Sequence, residues 1–299
     1  MLDRRSMIAS ALVGVLGCSG MTVQASGDRH EDALRRIEER TGGRLGVFAL
    51  DPVTGNSIGW RSGERFAHCS SFKMSLAAML LHKSDKGLVD LGERLRWTQA
   101  DMLPVSPVTA GNLAAGLPVR DLAHAALVTS DNTAANVLLR RFGGPEELTR
   151  FWRSLGDAAS RLDRFEPELN VTPPGTDLDT TTPEAMARTV ATLVTGNLLA
   201  PKSRSTVRDW MSEVATGKDR VRAGFPSHWI SGDKTGTGIG PARHTYVDLA
   251  FGGPAGEVPV IVAAYFEPRD LVDPMDPVAT GALAEVGRIA ASWHQQFRR

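Results

Sequence analysis

The chain has 299 residues, of which 42% are hydrophobic, so it can bury a large core in one domain or in two moderate ones. Lysine and arginine together number 34, as do aspartate and glutamate, and this balance argues against partners such as nucleic acid or an anionic membrane surface. Aromatic residues make up only 6% of the chain, which also argues against a stacking platform for single strands.

Residues 1–25 have the features of an export signal. Arg4-Arg5 precede an apolar run, and residues 23–25 offer small side chains for cleavage. The run is too short to span a bilayer as a stable helix. The arginine pair fits a folded-export route, while Cys18 offers the alternative of a lipoprotein anchor. We therefore expect an exported protein, periplasmic or secreted, with no membrane association beyond such an anchor.

The rest of the chain alternates between strand-like and helical patterns. Strands are predicted over residues 44–50, 57–60, 228–234, 245–251 and 258–266. Helices are predicted over residues 28–40, over much of the stretch from 70 to 210 with starts near Pro145 and Pro183, and over 276–297. Strands at both ends with helices between them predict an interrupted sheet.

This order predicts an α+β fold of two domains. An antiparallel sheet flanked by helices would be built from residues 26–61 and 213–299, and an all-helical domain from residues 62–212. We expect the active site in the crevice between the two domains, where ligand sites commonly lie.

Ser70 and Lys73 form the first motif that carries chemistry. On a helix, the i, i+3 spacing places the hydroxyl and the amine on one face. A serine in the first turn lies among unpaired backbone N–H groups, which stabilise an oxyanion. A lysine whose pKa is lowered can accept the hydroxyl proton. The spacing alone is weak evidence, because Ser231 and Lys234 repeat it.

Three further segments are each typical of an ordinary turn when taken alone. They are Ser130-Asp131-Asn132 between two predicted helices, Glu166 to Asn170 in an irregular stretch, and Lys234-Thr235-Gly236-Thr237 at the end of a predicted strand. Together and in this order, the motifs resemble those of the class A serine β-lactamases. The resemblance covers nearly the whole chain after the export signal.

The resemblance implies a role for each matching residue. Ser70 would be the nucleophile that opens the lactam ring, with its own N–H and that of Thr237 as the oxyanion hole. Lys73 would relay the proton. Ser130, assisted by Lys234, would pass it to the departing ring nitrogen.

The presence of Glu166 distinguishes a hydrolase from a penicillin-binding protein that stays acylated, because rapid hydrolysis of the acyl-enzyme needs a base that activates water. Asn170 would hold that water beside Glu166. Both residues would lie on an active-site loop over residues 164–179, and an ion pair between Arg164 and Asp179 would join the two ends of this loop. The residues that would contact the substrate are Asn132, Asn170, Thr235, Gly236, Thr237, Arg220 and Val105.

Three features either depart from the family pattern or match it at more than one residue. They are the residue at the cleft wall, the cation that would bind the substrate carboxylate, and the cysteine before Ser70. Val105 stands where many members carry an aromatic side chain. The second cation for the substrate carboxylate has Arg220, Arg243 and His244 as candidates, of which we favour Arg220. Cys69 occupies the place of one half of a disulfide found in some carbapenem-hydrolysing members, but Gly238 stands at the partner position. A buried, inert thiol is the expectation.

Other function classes are kept as alternatives. A penicillin-binding D,D-peptidase or penicillin sensor shares most motifs, but Glu166 and Asn170 argue against it. The third hypothesis is a catalytically inactive, lipid-anchored relative that acts only as a binding module, and the complete set of motifs argues against it. The histidines lack metal-ligand spacing. The pattern Gly-x-Ser-x-Gly occurs at residues 55–59, but there it runs from a predicted turn into a predicted strand and not from a strand into a helix, so it does not match the elbow of an α/β-hydrolase esterase. We expect a monomer without metal or cofactor that acts on small-molecule β-lactams and confers antibiotic resistance.

Overall fold

The computed structural model describes residues 19–272 and 275–297, with side chains described from residue 29 onward. The helices are α1 Ser19–Thr41, α2 Phe72–Asp85, α3 Pro107–Ala110, α4 Val119–Val128, α5 Asn132–Arg141, α6 Gly144–Ser154, α7 Pro183–Val194, α8 Pro201–Glu213 and α9 Pro277–Gln295. The strands are β1 Arg44–Leu50, β2 Ser57–Trp60, β3 Phe66–Ala67, β4 Arg94–Leu95, β5 Leu117–Pro118, β6 Thr180–Thr181, β7 Ile230–Ile239, β8 His244–Gly253 and β9 Val260–Glu267. Short 3₁₀ turns occur at Cys69–Ser71, Gln99–Asp101, Glu168–Asn170 and Val221–Gly224.

Strands from both ends of the chain form one antiparallel sheet of five strands, in the order β2-β1-β9-β8-β7. β1 pairs with β9 from Arg44 opposite Glu267 to Leu50 opposite Ile261. At the other edge, β7 pairs with β8, and Thr237 lies opposite Tyr246. The interrupted sheet and the α+β class predicted from the sequence are confirmed.

Alternate side chains of the central strands enter two different cores, as the period of two in a strand requires. One core packs the sheet against the helices between its halves, and from β8 and β9 it takes Val247, Leu249, Phe251, Ile261, Ala263 and Tyr265. The other lies beneath α1 and α9, and from the same strands it takes Tyr246, Ala250, Val260, Val262, Ala264 and Phe266. Both faces are therefore covered. The domain boundaries at residues 61 and 213 stay a prediction.

Helix α2 runs through the centre of the helical part. Every residue from Phe72 to Leu81 is buried, and the helix contacts α4, α5, α6 and α8. Such a helix is apolar on all sides because it has no solvent face. Lys73 is the one charged residue in this stretch of sequence, so its amine must find partners inside the protein.

The strand that carries Lys234 extends further than the sequence predicts, to Ile239 instead of residue 234. The Lys-Thr-Gly-Thr segment was predicted at the end of a strand over residues 228–234, but it lies in the middle of β7. The glycines that suggested a turn serve close approach instead. A Cβ on Gly236 would lie 2.8 Å from the His68 carbonyl oxygen, and one on Gly238 would lie 2.2 Å from that of Asn170.

The N-terminal helix begins earlier than predicted, at Ser19 rather than at residue 28, and ends before Gly42, which has φ +68°. Arg4-Arg5 and Cys18 lie outside the described residues, so the predicted export signal is not assessed by the fold. Within residues 19–272 and 275–297, no helix combines the length and apolarity needed to cross a membrane.

Candidate active site

Ser70 and Lys73 lie where the chain enters α2. Ser70 belongs to the 3₁₀ turn Cys69–Ser71, which runs directly into that helix. Lys73 Nζ lies 2.9 Å from Ser70 Oγ, as the i, i+3 spacing predicts. Cys69 has a φ of +46°, and such a conformation in a non-glycine residue is uncommon outside functional sites.

Lys73 is fully buried, and its amine contacts oxygen atoms of four residues. Besides Ser70, Nζ contacts the Ser130 carbonyl oxygen at 2.9 Å, Asn132 Oδ1 at 2.5 Å and Glu166 Oε1 at 2.9 Å. Burial lowers the pKa of Lys73, and the Glu166 carboxylate works against that shift. An amine with a lowered pKa next to a hydroxyl can act as a proton acceptor.

Glu166 faces Ser70 from the loop over residues 164–179. Ser70 Oγ donates to Glu166 Oε1 at 3.2 Å, and Asn170 Nδ2 donates to Glu166 Oε2. Asn136 on α5 holds the backbone on both sides: Glu166 N donates to Asn136 Oδ1 at 3.0 Å, and Asn136 Nδ2 donates to the Glu166 carbonyl at 2.9 Å. The carboxylate is thereby fixed beside Ser70.

Sequence reasoning missed Asn136, although a signal was present. It lies four residues after Asn132 on the same helix, so the two amides share a face. Its side chain is 2% exposed and contacts no reacting group, which makes it a positioning residue.

The ends of the active-site loop are pinned by a buried carboxylate. Asp179 Oδ2 accepts from Arg164 Nε at 2.6 Å, while Oδ1 accepts from the backbone N–H of Asp163 at 2.7 Å and of Arg164 at 3.0 Å. The Asp179 side chain has no exposed area. The Arg164–Asp179 pair expected from the sequence is therefore present, and one partner is buried rather than exposed.

Lys234 approaches the same site from β7. Its Nζ donates to Ser130 Oγ at 3.2 Å and to the Thr235 carbonyl at 2.7 Å. Lys73 Nζ lies 3.4 Å from Ser130 Oγ, so this hydroxyl lies between two amines. Burial, together with the charge of Lys73, lowers the pKa of Lys234 to about 7. Ser130 is thus placed to exchange a proton with either lysine.

Of the three candidate cations, Arg220 is the one that lines the cleft. It is 2% exposed, and its guanidinium donates to the Gly236 carbonyl at 2.8 Å and to Thr237 Oγ1 at 2.7 Å. The Arg243 side chain is 60% exposed and pairs with Glu267 at 3.4 Å. The geometry therefore favours Arg220, as expected.

These groups surround a cleft of about 370 Å³. Its walls are formed by Ser70, Val105, Ser130, Asn132, Asn170, Thr216, Arg220, Thr235, Gly236, Thr237 and Met275. Lys73, Glu166 and Lys234 lie behind the wall, bonded to Ser70 or Ser130. The structure thus brings every predicted site residue to one place. The sequence interpretation missed Thr216 and Met275.

Cys69 lies under β7, where Gly238 passes over it. A Cβ on Gly238 would lie 2.8 Å from Cys69 Sγ, and that thiol lies 3.8 Å from the Asn170 carbonyl oxygen. Burial raises the pKa of the Cys69 thiol. These contacts agree with the expected inert thiol.

Comparison with known proteins points to the same family as the sequence motifs. The model of the β-lactamase enzyme family matches residues 29–294. The chain is 41% identical to β-lactamase SME-1 of Serratia marcescens over 86% of each chain, and 41% identical to an imipenem-hydrolyzing β-lactamase of Enterobacter cloacae over 78% of this chain and 80% of that one. An ancestral (GNCA) class A β-lactamase structure gives a TM-score of 0.82 at 45% identity, covering 88% of this chain and 99% of that chain.

The chain belongs to the class A β-lactamase family. This confirms the resemblance and the enzyme class predicted from the motifs, and it favours a β-lactam hydrolase over a D,D-peptidase. Class A β-lactamases are typically exported, which agrees with the expected export. The roles of individual residues in this β-lactamase stay predictions.

Replacing Asp179 should loosen the active-site loop. In an Asp179→Ala variant, two backbone N–H groups and Arg164 Nε lose their acceptor, so we expect the free energy of unfolding to fall by about 3–5 kcal/mol. Urea denaturation measures this fall, and amide hydrogen exchange over residues 165–178 should accelerate. Asp177→Ala is the matched control, since Asp177 is 57% exposed on the same loop. Equal stability of the two variants would contradict the role of Asp179.

Proposed function

We propose that this chain hydrolyses penicillins and cephalosporins through an acyl-enzyme at Ser70. The supporting observation is that one loop carboxylate, Glu166, contacts both Ser70 Oγ at 3.2 Å and Lys73 Nζ at 2.9 Å inside the cleft. Nucleophile, proton acceptor and water-activating base are therefore within one hydrogen-bond network.

Acylation begins at the Ser70 hydroxyl. Its oxygen attacks the lactam carbonyl carbon while Lys73 takes the proton at 2.9 Å. The resulting oxyanion accepts from the N–H groups of Ser70 and Thr237, each typically worth about 3 kcal/mol. When the carbon–nitrogen bond breaks, the ring nitrogen takes a proton from Ser130, which recovers one from the neighbouring lysines.

The close packing of β7 against the turn of the nucleophile supports this oxyanion hole. A Cβ on Gly236 would lie 3.0 Å from Cys69 Cβ and 3.1 Å from Ser71 N. Only a residue without a side chain lets the strand approach this closely. The N–H groups of Ser70 and Thr237 can then serve a single oxygen.

Deacylation uses the carboxylate of Glu166. In the acyl-enzyme, Ser70 Oγ is an ester oxygen and no longer donates to Glu166. The carboxylate then accepts a proton from a water, whose oxygen attacks the ester carbon. As the bond from that carbon to Ser70 Oγ breaks, Glu166 gives the proton to Ser70 Oγ, which restores both groups. Asn170, which already donates to Glu166 Oε2, orients that water.

The two ends of the cleft bind different parts of the substrate. Lys234, Thr235, Thr237 and Arg220 hold the ring carboxylate, since they supply two buried cations and two hydroxyls. At the other end, Asn132 binds the acylamino side chain. The relatives include an imipenem-hydrolyzing enzyme, but the Cys69–Gly238 arrangement permits no bridge in this chain.

We also propose that the protein acts as a monomer after export through residues 1–25, in the periplasm or outside the cell. Lipid attachment at Cys18 is the alternative to release. Radiolabelled lipid on Cys18 of the full chain would establish the anchor.

Glu166→Ala should stop the reaction after acylation. Without the carboxylate that activates water, a penicillin is expected to remain as a covalent adduct on Ser70, with kcat reduced by about 10²–10⁴-fold. Mass spectrometry of the intact protein detects the adduct. Glu168→Ala is the control, because Glu168 is an exposed neighbour on the same loop. Penicillin turnover by Glu166→Ala at the original rate would disprove the role of Glu166.

Arg220→Ala should weaken binding of substrates that carry a ring carboxylate. Loss of a charge-assisted hydrogen bond is worth about 1.5–3 kcal/mol, so KM is expected to rise by roughly 10- to 100-fold. KM for a matched analogue with an esterified carboxylate should change little. Arg243→Ala provides the comparison, and a larger effect there would assign the carboxylate to Arg243.

Lys234 should make carboxylate binding depend on pH. Its pKa of about 7 means that the amine is charged below that pH and loses its charge above it. The ratio of kcat/KM for a carboxylate substrate over its ester should therefore fall as pH rises from 6 to 9. Taking the ratio cancels the titration of Lys73, which affects both substrates. A ratio that is flat with pH would show that Lys234 does not titrate in this range.

A further inference from the structure

Met275 gives the cleft an apolar wall that the sequence motifs did not indicate. It is 44% exposed, directly precedes the N-cap residue of α9, and lines the cleft together with Arg220 and Thr237. A methionine at this place is available for contact with a bound molecule. Its flexible thioether adapts to apolar and aromatic groups of different shape.

The segment that carries Met275 is attached to the carboxylate-binding groups. The N–H of Asp276 donates to Tyr246 Oη at 3.1 Å, and Asp276 Oδ1 caps α9 by accepting from Val278 N at 2.8 Å. Tyr246 lies opposite Thr237 in the sheet, and the Arg220 guanidinium lies 5.6 Å from the centroid of its ring. Met275 is therefore held next to Arg220 and Thr237.

Val105, the other apolar side chain of the cleft wall, has different neighbours. Val105 is 64% exposed, and its carbonyl oxygen accepts from the N–H of Asn132 at 3.0 Å. Val105 thus accompanies the amide that would bind the acylamino side chain. The two apolar side chains of the cleft wall therefore lie beside different polar groups, Met275 beside Arg220 and Thr237, and Val105 beside Asn132.

We propose that Met275 is a specificity-determining residue that selects β-lactams with an apolar substituent next to the ring carboxylate. The inference rests on the proposed function, because Arg220 and Lys234 orient the fused ring by binding its carboxylate. In a cephalosporin, the ring carbon adjacent to the one that bears the carboxylate carries the variable substituent. This substituent therefore points toward the neighbours of the carboxylate, and Met275 is the apolar one among them.

The expected effect is moderate, because the wall is half-exposed. Contact between Met275 and a large apolar substituent removes apolar surface of both from water. One methylene group in an enclosed hydrophobic pocket discriminates by roughly 10-fold or more, so an open wall should discriminate by roughly fivefold. The discrimination should appear mainly in KM, since the contact involves no reacting atom.

The test uses two cephalosporins with the same acylamino side chain. One carries a methyl group and the other a phenyl-bearing, non-leaving substituent on the carbon next to the carboxylate-bearing carbon. In the full-length protein, Met275→Ala should lower the ratio of kcat/KM for the phenyl over the methyl compound by roughly fivefold. Met275→Leu should keep the ratio. Leu271→Ala, at a residue 48% exposed that is not part of the cleft wall, should leave it unchanged.

The outcomes separate this inference from the proposed function. If the unchanged protein hydrolyses both compounds but Met275→Ala keeps the ratio, the selectivity role is wrong and the hydrolase proposal stands. An equal loss for both compounds would also overturn it, because it would show a structural role only. If the unchanged protein hydrolyses neither compound, the proposed function fails and this inference fails with it.

Discussion

The buried contact between Lys73 Nζ and Glu166 Oε1, 2.9 Å long, is the interaction on which the rest of the site depends. Neither side chain has exposed area, and a lone buried charge is costly unless a partner is present. Helix α2 supplies the amine from the centre of the core, and the loop supplies the carboxylate from outside it. The pair therefore joins a rigid element to one that has little regular structure of its own.

Holding that loop in place explains several features that have no chemistry of their own. Asn136 bonds both backbone groups of Glu166, and Asp179 closes the loop through Arg164 and two backbone N–H groups. A displacement of about 1 Å at a catalytic group can cost a hundredfold in rate. The polar contacts under the loop thus fix the position of the one carboxylate that we propose activates water.

The sheet contributes a second charged layer behind β7. The Arg220 guanidinium and the Lys234 amine are buried there, and Asp233 accepts from Arg222 at 2.8 Å. Burial raises the pKa of Asp233 and of Asp248, so both carboxyl groups are less readily ionised. Asp233 and Asp248 are therefore less able to offset the positive charge of Arg220 and Lys234, which supports the proposed binding of a substrate carboxylate on this side of the cleft. Electrostatic preorganisation of this kind favours an anionic ligand before any covalent step.

Much of this could be predicted from the sequence, because the motifs combine short-range spacing with a fixed order. Ser70 and Lys73 meet through helix geometry alone. The length of β7 was not predictable in the same way, since Gly236 and Gly238 resemble turn residues until the neighbouring backbone is known. The choice of Arg220 over Arg243, and the arrival of Met275 at the cleft, depend on contacts between segments far apart in the chain. Such contacts leave no local pattern.

The pairing of β1 with β9 bears on how the molecule is made. β9 lies between β1 and β8, yet its last residue, Glu267, is synthesised long after Leu50, the end of β1. During translation, the hairpin of β1 and β2 has no neighbouring strand until β9 is made. Until then, β7, which carries Lys234, cannot be joined to that hairpin through the sheet. Chains in which distant strands must meet fold slowly and expose unpaired edges meanwhile. A polypeptide released before β9 would contain Ser70 but could not complete the sheet that supplies the other half of the cleft.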